Sequence, residues 1–388
     1  MNEGSNNNTE QRSNRNRKAA VPHLLWGLLL LITVAAELAA KYLPGFATRY
    51  SLSVYHFLVL TWARFLGLLP WSFAELCIAS LILGLFVYTV FLLGSVIKKE
   101  RKWYLGVASW FIFTARICIF CLAVFVFGCG INYYRTSFAE SAGYEIRGCT
   151  EEELRTAYKY LVDRVNENVD EVTFDESGMS VPPDNIRELC SKTMRDFGRN
   201  HGVTSRYVPK AKPLISSRFF SLQLVTGIYL PTIEANYNAE QTGEELGFTI
   251  CHELSHLSGY MLEDEANMIS YLACMESDSP YLRYSASIVA LNYISSVYPG
   301  DDNTELYLEL DPRAIEDNYE TWLYWEQFRK PVAKVGEKEI VVSDIQKEIN
   351  NAYLQLSGDS NGVKSYDLVV ELIVEHLRKE GVIDTISE

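Results

Sequence analysis

Hydrophobic and polar positions divide this chain near residue 134. Between residues 21 and 134 apolar residues predominate, punctuated by basic ones; after that they recur at helical and strand spacings. The first run, "VPHLLWGLLLLITVAAELAAKYL", is long enough to cross a bilayer, which takes about 20 apolar residues. "AAELAA" comes close to a small-residue cleavage site without completing one, so an uncleaved span over about residues 22–43 is expected. "WSFAELCIASLILGLFVYTVFLLGSVI" predicts a second span at 71–97, and "VASWFIFTARICIFCLAVFVFGCGI" a third at 107–131. Trp71, Trp103, Tyr104, Tyr133 and Tyr134 stand at span ends, where amphipathic rings prefer to sit. Residues 44–70 are apolar and aromatic but broken by Arg49, His56 and Arg64, which reads as an interfacial or re-entrant segment.

From Arg135 onward the pattern is globular. Thr150 and Glu153 form a capping-box signature, and apolar spacing carries that helix to about residue 169. "PPDNIRELCSKTMRDFG" predicts a second helix. "AKPLISSRFFSLQLVTGIYLPTIEANYN" is rich in β-branched and aromatic residues, with turn signals at Pro213, Gly227 and Pro231; it predicts two short strands and an extended segment. After Glu240 the chain reads as helical nearly to its end, with breaks near Gly259, Pro280, Pro299, Pro331 and "SGDSNG". The expected organisation is a disordered basic tail (1–20), a membrane domain (21–134) and one soluble domain (135–388).

Charge adds orientation. The net charge is -14, and nucleic-acid binders carry basic patches instead, so a nucleic-acid partner is not expected. The tail (Arg12, Arg15, Arg17, Lys18) and the "KKERK" loop after the second span are both basic, which places both in the cytoplasm. Three spans then put residues 135–388 on the extracytoplasmic face of a plasma membrane. There Cys149 and Cys190 could form a disulfide. Cys118 and Cys121 have CxxC spacing but lie inside an apolar run, where they read as small helix residues.

One stretch carries chemistry: "FTICHELSHLSGYMLEDEANMISYLACMES", residues 248–277. On a helix, residues four apart share a face, so His252 and His256 project together with the spacing that binds one zinc ion. Glu253 lies beside that face, placed to take the proton of an attacking water. Catalytic zinc takes three protein ligands and keeps one position open. Gly259 breaks the helix, and the next one carries Glu263, Asp264 and Glu265, of which Glu263 is favoured over Glu265 as the third ligand. Asn267, four residues on, shares the face of Glu263 and is placed to bond the outer nitrogen of a ligand histidine. Glu265 points elsewhere, to be solvated or to cap its helix, and Cys251 points into the core. Glu234 and Asn236, upstream in "GIYLPTIEANYN", are candidates for contact with substrate or with the metal's surroundings. Tyr260, Tyr271 and Tyr366 are candidates to steady an oxyanion. His201 and His376 read as surface residues rather than ligands.

At these residues the chain resembles the gluzincins, metallopeptidases with HExxH on one helix and a glutamate on the next. "HELSH" followed by "EDEAN" is similar to the second motif of Ste24-type, heat-shock-type and ImmA/IrrE-type peptidases, which implies Glu263 as the ligand. Asn267 stands where many of those relatives have Asp. Most of the chain also resembles an uncharacterised bacterial family with three N-terminal spans and an HExxH domain, through "RFLGLLPWSFAEL", "TGIYLPTIEANYN" and "NGVKSYDLVVELI". In zincins an upstream strand lines the cleft and pairs with extended peptide.

The sequence thus predicts an α-helical membrane part of three transmembrane helices. A mainly α, α+β zincin-like extracytoplasmic domain follows, with a small sheet beside the HExxH helix. The expected partners are the lipid bilayer and a peptide or protein substrate. The expected activity is zinc-dependent peptide hydrolysis. A catalytically silent, zinc-stabilised membrane sensor is the alternative. Site-2-type intramembrane proteolysis does not fit, because the motif lies in a charged stretch too short in apolar residues to span.

Overall fold

The computed structural model describes residues 3–203, 207–329, 333–335, 338–340 and 365–383. It is mostly helical, with a small three-stranded sheet. Three helices are long and apolar enough to cross a membrane: Val21–Tyr42, Phe73–Ile97 and Trp103–Gly128. All three lie within a few residues of the expected spans, because length and apolarity alone set them. The first continues back to Glu3, so residues 3–20 are drawn as helix rather than as the expected disordered tail. The second and third form a hairpin across the basic loop. Lys99 turns the chain at φ 59°, and the Trp110 indole N–H donates to Thr89 Oγ1 at 3.0 Å.

Residues 46–66 form one helical run in which α turns alternate with π turns at Ser51–Tyr55 and Val59–Ala63. Ala47, Ser51, Tyr55, Val59 and Ala63 are buried at a spacing of four, with Tyr50 and Leu66 buried beside that row. An α-helix advances about 100° per residue, so a four-residue repeat drifts about 40° each time. A π turn takes more residues per turn and reverses that drift. The alternation keeps all five on one face. That face lies against the globular domain, while Leu52, Phe57 and Phe65 face outward.

The globular domain is built around the helix Gly243–Leu257, buried on almost every side, as expected for a core helix with apolar residues all round. The helices Ile186–His201, Glu263–Met275 and Pro280–Val297 pack around it, and the sheet covers its remaining flank. The helix Glu151–Val169 packs on Pro280–Val297, and its capping box is formed, with Glu153 and Thr150 bonding reciprocally.

The sheet has strand order β1-β3-β2: β1 (Lys212–Pro213) runs parallel to β3 (Glu234–Tyr237), and β2 (Gly227–Leu230) antiparallel to it. "SRFFS", expected as extended chain, is instead the short helix Ser217–Ser221. Ser217 Oγ donates back to Leu214 O, which favours a local turn over a strand. Near the C-terminus, residues 333–335 and 338–340 pair as a hairpin where helix was expected. Pro331 and "SGDSNG" lie outside the described residues.

No disulfide joins Cys149 to Cys190; both are free thiols. Cys190 is in the core, its thiol 3.7 Å from the Gly247 carbonyl on the central helix. Cys149 lies beside Arg378 instead.

Candidate metal centre

The central helix ends where Gly259 adopts φ 94°. A side chain is strained at that angle, and a Cβ here would also sit 2.9 Å from Ser51 Oγ and 3.0 Å from Arg135 Nη1. The turn swings the next helix, Glu263–Met275, back over the histidines. His252 Nε2 then lies 3.3 Å from Glu263 Oε2, and His256 Nε2 lies 3.7 Å from Glu263 Oε1. The two imidazoles stand 4.6 Å apart and nearly perpendicular. One donor atom from each of His252, His256 and Glu263 falls within a 4.8 Å cluster, and this group could hold a metal ion. Two imidazole nitrogens and a carboxylate fit zinc, and three ligands leave a position open.

His256 Nδ1 lies 2.7 Å from the Tyr260 carbonyl. An N–H donated there leaves the lone pair on Nε2, which faces Glu263. Burial and the neighbouring His252 hold His256 down at about 4, so it is neutral and able to ligate. Burial pushes Glu263 upward, but hydrogen bonding to His252 and the charges of both imidazoles win and hold it at about 2. For His252, burial acts downward and is overcome by Glu263, with smaller contributions from Glu253 and Asn267, so its pKa is raised. Asn267 thus lies near His252, where a bond to the outer ring nitrogen was expected. The contact is looser than a full hydrogen bond, because His252 Nδ1 has no partner in hydrogen-bond geometry.

Glu253 is buried beside the cluster and outside it, with Oε2 unpartnered among the described residues. Burial raises it to about 8, against the pull of His252. Strand β2 passes directly over this carboxylate. A Cβ on Gly227 would come within 2.8 Å of Glu253 Cγ. The isolated glycine in a strand pattern was the readable signal of this close approach. Tyr229, two residues along and on the same face of β2, packs its ring 6.2 Å from the His256 ring. Among the described residues the other edge of β2 pairs with nothing.

The remaining candidates lie elsewhere. Glu234 is buried and turned away from the histidines; its carboxylate accepts from the backbone N–H groups of Phe73 (3.2 Å) and Ala74 (2.9 Å) at the start of the second span. Asn236 is buried in the middle strand, where its side chain donates to the Glu234 carbonyl at 3.1 Å. The Tyr260 ring lies under the Arg135 guanidinium at 3.9 Å and against Phe138, so only its carbonyl serves the site. Tyr271 is buried beside Tyr160 and Tyr144, away from the ligands. Tyr366 is in the helix Ser365–Lys379, and its side chain lies outside the described residues. Glu265, expected in solvent or on its own helix end, is buried and accepts from Phe138 N, capping the short helix Phe138–Ala142. Cys251 is fully buried, as its position on the helix predicts. His201 is exposed and paired with Glu276, and His376 meets Tyr144, so neither is near the metal cluster.

A family model described as "Protein of unknown function (DUF3810)" matches residues 50–374. The chain belongs to this family. The match takes in most of the 46–66 helix, the second and third spans and every residue of the metal cluster. No curated protein and no solved structure matches the chain.

Proposed function

We propose that this DUF3810 chain is a membrane-anchored, zinc-dependent hydrolase of peptide bonds, with a zincin-like domain on the extracytoplasmic face of the plasma membrane. The observation that carries the reading is the pairing of a three-donor cluster with a buried carboxylate that does not belong to it. A purely structural zinc has no use for Glu253. Zinc, when bound, supplies a Lewis acid that polarises a carbonyl and acidifies water. His252, His256 and Glu263 would hold it, and the Tyr260 carbonyl fixes the tautomer of His256. The charge of a bound zinc would draw Glu253 down from its raised pKa, and the ionised carboxylate takes the proton of the attacking water and hands it to the leaving amine. The free edge of β2 offers backbone groups to an extended peptide, as a strand added to the sheet. The basic tail and the basic loop between the second and third spans support the orientation.

The test is the full chain in detergent, with and without Glu253→Gln, assayed for bound zinc and for cleavage of a mixed peptide library. The expected result is about one zinc per chain in both forms and cleavage by the parent alone. Zinc in both and cleavage in neither favours the silent sensor. Absence of zinc from both sinks the site.

A further inference from the structure

We propose that the outer face of the 46–66 helix binds lipid in the plane of the bilayer surface, and that the metal centre fastened to its inner face acts on chains lying at that surface. The second half rests on the hydrolase reading; the first half does not.

The outer face is apolar, and only at Trp62, whose indole N–H donates to Thr232 O at 3.2 Å, do the described residues show it bonded to the globular domain. Leu52, Val54, Phe57, Trp62 and Phe65 are all exposed. The hydroxyls on this face are withdrawn from solvent chemistry. Ser53 Oγ donates to Arg49 O at 2.5 Å, and Thr61 Oγ1 to Phe57 O at 2.7 Å. Thr33 and Thr89 in the first and second spans use the same four-residue back-bond. A hydroxyl so satisfied can face hydrocarbon. The two arginines of the segment stand near its ends, at Arg49 and Arg64, with only partly buried His56 between them.

The chain on either side names the occupant. The first span ends at Tyr42 and the second begins at Phe73, so both ends of this helix run into bilayer-crossing segments within a few residues. The Trp62 ring on this face meets Phe73, the first residue of the second span, edge-on at 6.2 Å. A helix with one apolar and one docked face, held between two spans, lies where the headgroups meet the acyl chains.

The inner face reaches the metal ligands. Tyr55 OH donates to the carbonyl of Leu257, the last residue of the histidine helix, at 3.1 Å, and lies 2.8 Å from Tyr229 OH. Tyr229 OH in turn lies 2.8 Å from Gly128 O, where the third span ends. The Tyr229 ring packs on His256. One tyrosine pair thus ties the ligand helix, the edge strand, the lipid-facing helix and a span together. The centre is held at the membrane surface, within reach of chains anchored there by a lipid or a span.

The test uses the full chain in liposomes, with the four cysteines that are not buried (Cys77, Cys118, Cys121 and Cys149) changed to alanine. Spin labels are placed through Phe57→Cys, Phe65→Cys and, as a water-facing control, Glu152→Cys. Labels at 57 and 65 are expected to collide with oxygen in preference to a water-soluble nickel chelate, with the reverse at 152. Chelate-favoured collisions at 57 and 65 overturn the proposal, as does protection from both reagents, which would mean a protein partner or a second copy. A second arm compares zinc-loaded protein on free peptides and on the same peptides carrying an acyl anchor. Anchored peptides are expected to be cut at least about tenfold faster, with Phe57→Asp narrowing the ratio. Equal rates overturn the surface-substrate half. Cleavage of neither, with 57 and 65 in lipid, overturns the hydrolase reading and leaves the lipid-facing helix standing.

Discussion

Gly259 and Gly227 decide the site through what they lack. Gly259→Ala places a Cβ at φ 94° against Ser51 and Arg135, and strain of this kind costs about 1–3 kcal/mol. A lower denaturation midpoint is the expected outcome, and an unchanged midpoint would mean the turn relaxes freely. Gly227→Ala acts differently, because the new methyl meets Glu253 rather than backbone. Zinc content should hold while cleavage falls by about 100-fold or more, the lower end of what a positioned proton acceptor contributes. Loss of zinc as well would show that β2 supports the ligands and not the base. The HExxH spacing made the shared face of His252 and His256 legible through helix periodicity, and the break at Gly259 made legible the return of Glu263 to it. It could not show the Tyr260 carbonyl, because a backbone acceptor leaves no residue signature. It misplaced Glu234, because alternation tells that a strand residue is buried but not against what.

Among the elements, the spans, the capped helix at Thr150 and the helix break at Gly259 were legible because each rests on local chemistry. The π turns were not, since they arise from fitting a four-residue stripe to a flat docking face. The start of the histidine helix carries another hidden feature. Glu244 is fully buried, and burial, Asp317 and Glu245 raise its pKa well above the ordinary carboxylate value. Glu244 Oε1 accepts from Asn318 at 2.9 Å, and Oε2 has no partner among the described residues. The unfolded chain ionises near 4.5 while the folded one keeps the proton. Below about pH 4.5 both states are protonated and nothing is lost. Above it, stability falls with rising pH, by up to about 1.4 kcal/mol per pH unit, until the folded group ionises too. Glu244→Gln removes that loss. Its melting temperature should exceed the parent's by more at pH 8 than at pH 5. An equal difference at both would assign the retained proton to another group.

At the scale of the whole molecule, the domain and the membrane part meet through a pair of carboxylates that no local pattern could reveal, since their partners lie some 140–160 residues away. Glu75, in the first turn of the second span, accepts from Ile215 N at 2.6 Å and Ser216 N at 3.0 Å, just past β1. Glu234, on β3, accepts from the first amides of that same span and from Thr232 Oγ1 at 2.9 Å. A carboxylate at a helix N-terminus is favoured by the free N–H groups and the dipole. Lys212 completes the joint: its ammonium pairs with Glu234 and donates to Leu66 O at 2.8 Å, where the 46–66 helix ends. Both side chains are nearly inaccessible, at 4% and 1%. The two halves of this pair are not equally replaceable. Lys212→Met removes the cation but leaves Glu234 its span amides and the Thr232 hydroxyl. Glu234→Ala strands a buried ammonium with one carbonyl and takes the acceptor from the Phe73 and Ala74 amides, leaving the span only its Ser72 cap. Breaking a buried pair by removing one partner costs about 3–5 kcal/mol, and Glu234→Ala belongs at that end. The buried thiols report the opening: on heating in detergent with a thiol-reactive dye, the labelling midpoint should drop most for Glu234→Ala and less for Lys212→Met. A reversed order would mean that the cation, and not the cap on the second span, holds the domain to the membrane helices.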